Sequence, residues 1–343
     1  MSRETAFRAI DFAVGYQQEH DPDHPFILSF FGGEPLLEWD LLAAADAYAV
    51  RKCTETHLSL HRTVTTNMTL LDEAKVDWFR ARHYHLGLSL DGSRKMHDTF
   101  RLYSNGKSSY DDCLRGVELL QDYLPTPEFI CVVNPETVSL LVQGVRELGL
   151  LAPFYITLNT NFSAAWTDAS LQALGNAYRK IASDYIDAWR LGQHLPIIWI
   201  ESKIKTLLYD GFHDCDRCAP LSKELAVSPA GNFYPCCNLV GNDDRLDLRL
   251  GDVEHGLDSA AYLRALSHCG NKTPVCQNCP VAPRCVNWCS CVNYFSTGHT
   301  DQVGPVSCFL EKLTIELADQ VADTLSSEKN PGFLECVSGW LHA

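Results

Sequence analysis

The sequence has no long apolar run. Nowhere do eighteen or more apolar residues stand together, so nothing in it reads as a membrane-spanning helix. It also lacks a basic start followed by an apolar block. The N-terminal stretch MSRETAFRAIDFAVGYQQE is amphipathic and mixed in charge, unlike an export signal. The expected compartment is therefore the cytoplasm, where thiols stay reduced and disulfides are disfavoured. Basic residues are in deficit: 28 Lys and Arg stand against 43 Asp and Glu, a formal net charge of −15. A phosphate-binding surface needs the opposite sign, so neither nucleic acid nor a membrane is an expected partner. Such a charge by itself signals little beyond solubility. Internal repeats and low-complexity segments are absent. Cysteine is scarce in the first 214 residues, where only Cys53, Cys113 and Cys131 occur, scattered as small buried hydrophobes would be.

The abundance comes later. From Cys215 to Cys308 the chain carries eleven cysteines. The stretch CQNCPVAPRCVNWCSC, residues 276–291, crowds in Cys276, Cys279, Cys285, Cys289 and Cys291. Disulfides, zinc and iron–sulfur clusters all use such spacings, and a reducing compartment disfavours the first. With 343 residues there is room for two domains. The shift in cysteine usage puts a boundary near residues 192–212.

Before that boundary, helical and strand patterns alternate. Helix 3–19 carries Phe7, Ile10 and Val14 on one face, with Ser2 as its cap. Strand 26–31 follows, then helix 38–56 with Leu41, Leu42, Ala45, Tyr48 and Ala49 inward. Strand 60–66, helix 72–83 and strand 86–90 come next. Helix 110–123, strand 128–133, helix 136–149 and strand 154–159 complete the series, and helical patterns cover 168–191 and 198–209. Beyond the cysteines, Phe309, Leu313, Leu317 and Val321 mark a helix over 308–326. Strands alternating with helices predict parallel βαβ units. Apolar strands such as FILSFF fit a sheet whose outer face is covered by helices.

In parallel barrels the chemistry lies at the C-terminal strand ends. After the first strand comes Gly32-Gly33-Glu34-Pro35, and after the second Asn67. After the third come Asp91-Gly92, then His97, Asp98 and Arg101. After the last come Asn159, Thr160 and Asn161. Any one of these reads as a turn; their recurrence at one end reads as a shared polar site.

These residues resemble the radical SAM (S-adenosylmethionine) enzymes that carry a C-terminal SPASM domain. FFGGEPLL resembles that family's GGEP segment, and TTNMTLLD, LSLDG and HDTFR resemble its next signatures in the same order. The resemblance covers nearly the whole chain. It implies an α/β fold: a partial (β/α)6 TIM-like barrel with its first strand missing, then a cysteine-rich SPASM domain and a C-terminal helix. The implied domains are 1–195, 196–310 and 311–343. It implies that Gly32, Gly33 and Glu34 hold the cofactor's amino group, that Asn67, Ser89 and Asp91 lie near it, and that Arg101 pairs with its carboxylate. Cys218, Gly231 and Cys236 match the family's C-x(9–15)-G-x4-C, and Cys276, Cys279, Cys285 and Cys289 match C-x2-C-x5-C-x3-C. Cys308 closes the pattern, and Cys215 completes eight thiolates, enough for two auxiliary [4Fe–4S] clusters. The family's interleaved ligation implies Cys215, Cys218, Cys236 and Cys289 on the first and Cys276, Cys279, Cys285 and Cys308 on the second. Zinc is the alternative for the CxxC pairs.

Two departures stand out. The C-x3-C-x2-C motif that binds the cofactor-cleaving cluster is absent from the sequence, so that cluster is expected only in a complete chain. Two explanations fit: an N-terminally shortened enzyme, which a clean cut before the first helix favours, or a variant that has lost the chemistry. The second departure is Cys237, which stands where the related sulfatase-maturing enzymes have an aspartate base. The expected activity of a complete chain is hydrogen abstraction from a peptide or protein side chain by a 5′-deoxyadenosyl radical, as in maturation of ribosomal peptides. Cys237 is then the candidate catalytic group, and a flavodoxin or ferredoxin the expected reductant. The alternatives are a sulfatase-maturing-type enzyme and a non-catalytic iron–sulfur or zinc module that binds a peptide.

Overall fold

The structure is a computed structural model that describes residues 1–213, 216–218, 224–268 and 273–341. Cys215 and Cys269 lie outside the described residues. In chain order come α1 (Arg3–His20), β1 (Phe26–Phe30), α2 (Trp39–Thr56), β2 (Leu60–Thr66), α3 (Glu73–Arg80) and β3 (His85–Ser89). They are followed by α4 (Arg94–His97), α5 (Tyr110–Leu120), β4 (Glu128–Val133), α6 (Leu141–Gly149), β5 (Tyr155–Thr160), α7 (Asp168–Arg190) and α8 (Ile198–Leu208). The cysteine-rich part holds β6 (Ala226–Val227), β7 (Asn232–Tyr234), β8 (Gly251–Asp252), β9 (Gly256–Leu257), α9 (Ser259–Ser267), α10 (Pro274–Gln277) and α11 (Ser290–Thr297). The chain then forms α12 (Pro305–Ser327) and α13 (Pro331–Leu341).

Strands β1 to β5 form one sheet in chain order. Phe26 of β1 lies opposite Leu60 of β2, and Phe129 of β4 opposite Ile156 of β5, both pairings parallel. This is the α/β architecture expected from the alternation. Strands β6 to β9 form a separate small sheet, antiparallel throughout.

The chain divides into two compact units, each built from two segments: 1–87 with 218–270, and 88–217 with 271–343. In the first, α1 and α2 cover one face of β1. Ala6, Ile10, Val14, Ala45, Ala49 and Cys53 enclose Phe26. Its other face is open, with Ile27 58% and Phe31 50% exposed, which explains an unbroken apolar strand with only one side under helices. Ser2 caps α1 by accepting from the Thr5 amide at 3.0 Å. In the second unit α12 packs along α7 and α8. Thr167 and Ser170 close a reciprocal capping box at the start of α7. Cys53, Cys113 and Cys131 are all buried, as their isolation in the sequence predicts. The helices begin and end within a few residues of their expected bounds. The largest differences are at 136–149, where a short 3-10 turn precedes α6, and after residue 327, where the expected tail is the helix α13. Among the described residues, no helix is long and apolar enough to cross a membrane.

Candidate functional site

In the first unit the loop after β1 is tied to the end of β2 by Glu34. Its Oε1 accepts from the Leu36 amide at 3.0 Å and from the Thr66 hydroxyl at 2.8 Å. Its Oε2 accepts from the Asn67 amide at 2.7 Å. Asn67 turns its own side chain back, accepting from the Thr69 amide at 3.1 Å and hydroxyl at 2.8 Å. Thus Glu34 and Asn67 come together, and the Gly32-Gly33 backbone is held exposed beside them. Gly32 has φ +144°, a region that glycine alone adopts freely, and a Cβ there would meet nothing within 4 Å. The loop is therefore a bare backbone surface, as a cradle for a small polar group requires.

In the second unit Asp91, which follows β3, is buried and fully used. Its Oδ1 accepts from the Val132 amide at 2.8 Å and from Arg101 Nη2 at 3.0 Å, and its Oδ2 from Arg101 Nε at 2.6 Å. Burial alone would lower the Arg101 pKa, but the Asp91 carboxylate outweighs it and the net shift is upward. Arg101 Nη1 bonds to nothing among the described residues, so one donor edge of the guanidinium stays open for an anion. The Ser89 hydroxyl likewise has no partner among the described residues.

His97 braces this corner. The Asp91 amide donates to Nδ1 at 3.4 Å, so Nε2 carries the proton and donates to Ser109 Oγ at 2.9 Å. Ser109 in turn donates to the Arg101 carbonyl at 2.6 Å. Burial, followed by the nearby Arg101, lowers the His97 pKa to about 4. His97 is a neutral structural histidine. At the end of β5, Asn161 donates to Asn134 Oδ1 at 2.8 Å, and Asn159 is exposed.

The cysteines fall in both units. In the first, Gly231 of the G-x4-C spacing makes the hairpin turn into β7. Its φ is +90°, and a Cβ would lie 2.8 Å from Val253 Cγ2. Asp243 secures that hairpin, accepting from Ser228 Oγ at 2.7 Å, Asn232 Nδ2 at 3.0 Å and Tyr234 OH at 2.8 Å. Strand β7 delivers Cys236 and Cys237. Their thiols and the Glu224 carboxylate lie within 4.8 Å of one another. Hydrogen bonding to Cys236, then burial, push the Cys237 thiol pKa well up.

In the second unit Cys276, Cys279, Cys285 and Cys289 sit on consecutive tight turns. The Cys279 amide donates to Cys276 O at 3.2 Å, Cys285 to Ala282 O at 3.3 Å and Cys289 to Val286 O at 3.0 Å. Cys308 lies in the first turn of α12, and none of these five cysteines is in a disulfide. Cys289 Sγ is 3.4 Å from Cys291 Sγ. The residues beside Cys285 are clamped. Lys203 Nζ donates to Glu311 Oε2 at 2.7 Å and to Arg284 O at 2.9 Å, and the Val286 amide donates to the same Glu311 oxygen at 2.7 Å. Arg284 forks Asp319 at 2.9 and 2.5 Å. Burial, then Glu311, raise the Cys285 pKa. A set of thiol donors on short turns is the chemistry an iron–sulfur cluster requires.

Sequence reasoning missed Glu224, Lys203, Arg284, Glu311 and Asp319. The signatures that draw attention here specify only cysteine and glycine, so even Glu224 and Arg284, which lie within them, fall at unspecified positions. Glu311 does stand three residues after Cys308 on the same helix, a spacing that shares a face.

No family model matches the chain. The chain has the fold of a solved structure of native anSMEcpe with bound AdoMet and Cp18Cys peptide, at 16% identity, with TM-score 0.77 over 95% of this chain and 92% of that one. It is similar to the cysteine-type anaerobic sulfatase-maturating enzyme of Clostridium novyi, 21% identical over 278 residues, 76% of this chain and 72% of that protein. It is also similar to the radical SAM cyclopropyl synthase TigE of Paramaledivibacter caminithermalis, 21% identical over 303 residues, 84% of this chain but only 59% of that protein.

Proposed function

We propose that this chain belongs to a radical SAM enzyme that modifies a side chain in a peptide or protein substrate, with S-adenosylmethionine and two auxiliary [4Fe–4S] clusters as cofactors. When bound, S-adenosylmethionine and a reducing cluster supply hydrogen abstraction; the protein supplies position and exclusion of water. The Gly32-Gly33 backbone and Glu34 receive the cofactor's amino group. Arg101 turns its open edge to the cofactor's carboxylate, while Asp91 holds the guanidinium in place. Ser89 and Asn67 contact the rest of the cofactor. Cys276, Cys279, Cys285 and Cys308 hold one auxiliary cluster, and Cys215, Cys218, Cys236 and Cys289 the other. The SPASM assignment, the cytoplasmic setting and a flavodoxin- or ferredoxin-type reductant follow from the same reading.

The observation that carries it is the pairing, in one chain, of a bare glycine loop locked by Glu34 with a dense set of thiols on short turns. The sequence contains no C-x3-C-x2-C, so its own cysteines offer no three-thiolate site with an open iron, and cofactor cleavage is assigned to a chain that has that motif. Anaerobically purified protein should hold about eight irons and as many sulfides. Stoichiometric zinc without sulfide would replace this reading by the non-catalytic peptide-binding one.

A further inference from the structure

Cys276, Cys279, Cys285 and Cys308 all lie among the described residues, and all belong to the second unit. Two of them are tied together by charged side chains. Cys285 is buried, and the peptide groups on either side of it are both held. The Arg284 carbonyl accepts from Lys203 Nζ at 2.9 Å, and the Val286 amide donates to Glu311 Oε2 at 2.7 Å. Lys203 belongs to α8. Glu311 belongs to α12, about one turn beyond Cys308. The clamp therefore fixes the turn of Cys285 against the helix that carries Cys308.

The same two residues place full charges beside a buried sulfur. Lys203 Nζ pairs with Glu311 Oε2 at 2.7 Å, and the two side chains are almost wholly enclosed. The ammonium also lies 5.0 Å from the centre of the Phe212 ring, an aromatic face in place of water. Arg284 is engaged elsewhere, on Asp319, the Thr206 hydroxyl and the Lys203 carbonyl. A buried ion pair adds little stability over an apolar pair of the same volume. What it does add is fixed charge, which away from water acts more strongly on its neighbours. The potential of an iron–sulfur cluster responds to such charge and to hydrogen bonding around its thiolates.

We propose that Lys203 and Glu311 are positioning residues of the second auxiliary cluster: together they hold Cys285 at its distance from Cys308, and their opposed charges set how readily that cluster takes an electron. This rests on the reading that Cys276, Cys279, Cys285 and Cys308 bind that cluster. Reduction adds one electron and makes or breaks no bond; in the test dithionite supplies the electron. The ammonium favours the more negative, reduced form, and the carboxylate disfavours it.

The test uses the full chain, reconstituted anaerobically with iron and sulfide, as wild type, Glu311→Gln, Lys203→Met and the double variant Lys203→Met with Glu311→Leu. Midpoints are read by mediated dithionite titration, following the paramagnetic signal of the reduced clusters, and do not depend on how fully each site is loaded. Glu311→Gln keeps an oxygen for the Val286 amide and removes only the charge. It should raise one of the two midpoints, changing the reduced-to-oxidised ratio at a fixed poise about tenfold, or about 59 mV for one electron. Lys203→Met should lower the same midpoint, and the other should stay in place in both variants. The double variant strands no charge, so it should fold. Its midpoint should lie between those of the single variants, and a chelator should strip half of its iron several-fold faster than from wild type. Midpoints unmoved in both single variants, or moved in one direction by both, or iron released from the double variant at the wild-type rate, would overturn the inference; about eight irons in the wild type would leave the two-cluster reading standing. Stoichiometric zinc without sulfide in the wild type would overturn the cluster reading, and this inference with it.

Discussion

At the level of single residues, Glu34 holds together the loop in which the proposed cofactor site lies. Its carboxylate fixes the Leu36 and Asn67 amides and the Thr66 hydroxyl. Replacing it by alanine leaves two amides short of an acceptor, so the variant should lose on the order of 1–3 kcal/mol in urea unfolding. Calorimetry on a chain bearing C-x3-C-x2-C should also show weaker S-adenosylmethionine binding. Gly33→Asp, which crowds the bare loop, should weaken binding with little change in stability. His97 gives a pH signature. Its folded pKa is about 4 against an ordinary 6.5, so the unfolded chain takes up the proton first. Its contribution to stability is whole above pH 6.5 and is lost as pH falls towards 4, about 3 kcal/mol in all. In His97→Gln the stability curve should be flatter through that window; parallel curves would show that His97 is not buried neutral. Glu34, Asp91 and Arg101 were legible because they follow strands. The neutral role of His97 was not, since a histidine near an aspartate reads equally as catalytic until its burial is known.

At the level of elements, the turns and clamps decide where the thiols stand. Gly231 and Asp243 set the hairpin that carries Cys236. A Gly231→Ala chain must force a side chain against Val253 at φ +90°, so it should bind less iron per chain while α1 and α2 keep their helical signal. The clamp beside Cys285 works through buried charge: Lys203 and Glu311 are only 4% and 13% exposed in their side chains. Lys203→Met strands the Glu311 carboxylate, and denaturant melts should show a loss of about 3–5 kcal/mol. The double change Lys203→Met with Glu311→Leu should recover part of it, because both charges go together. Helices α7 and α12 were legible from their four-residue apolar spacing. The clamp was not, because its partners lie 81 and 108 residues apart in sequence and buried ion pairs carry no local periodicity.

For the whole molecule, the five strands of the larger sheet were legible because parallel strands need helical crossovers, and the alternation records them, whereas the short antiparallel strands β6 to β9 carry too few residues to show a pattern. The composition of each unit from two distant segments leaves no such record, since which segments pack together is set by contacts and not by local pattern. The activity prediction belongs at this scale. Under dithionite the chain as given should form no 5′-deoxyadenosine over repeated turnovers, and a chain bearing C-x3-C-x2-C should. Multiple turnovers by the present chain would point to an unassigned iron site among Cys237, Cys269 and Cys291. The two-segment build also bears on synthesis. The first unit joins residues 1–87 to 218–270, so its opening segment leaves the ribosome long before its partner exists. At translation speeds of about 5–20 residues per second, α1, β1, α2 and β2 wait roughly ten to forty seconds for the segment that completes their unit. During that interval the surfaces of the opening segment that residues 218–270 will later cover stand bare on the growing chain.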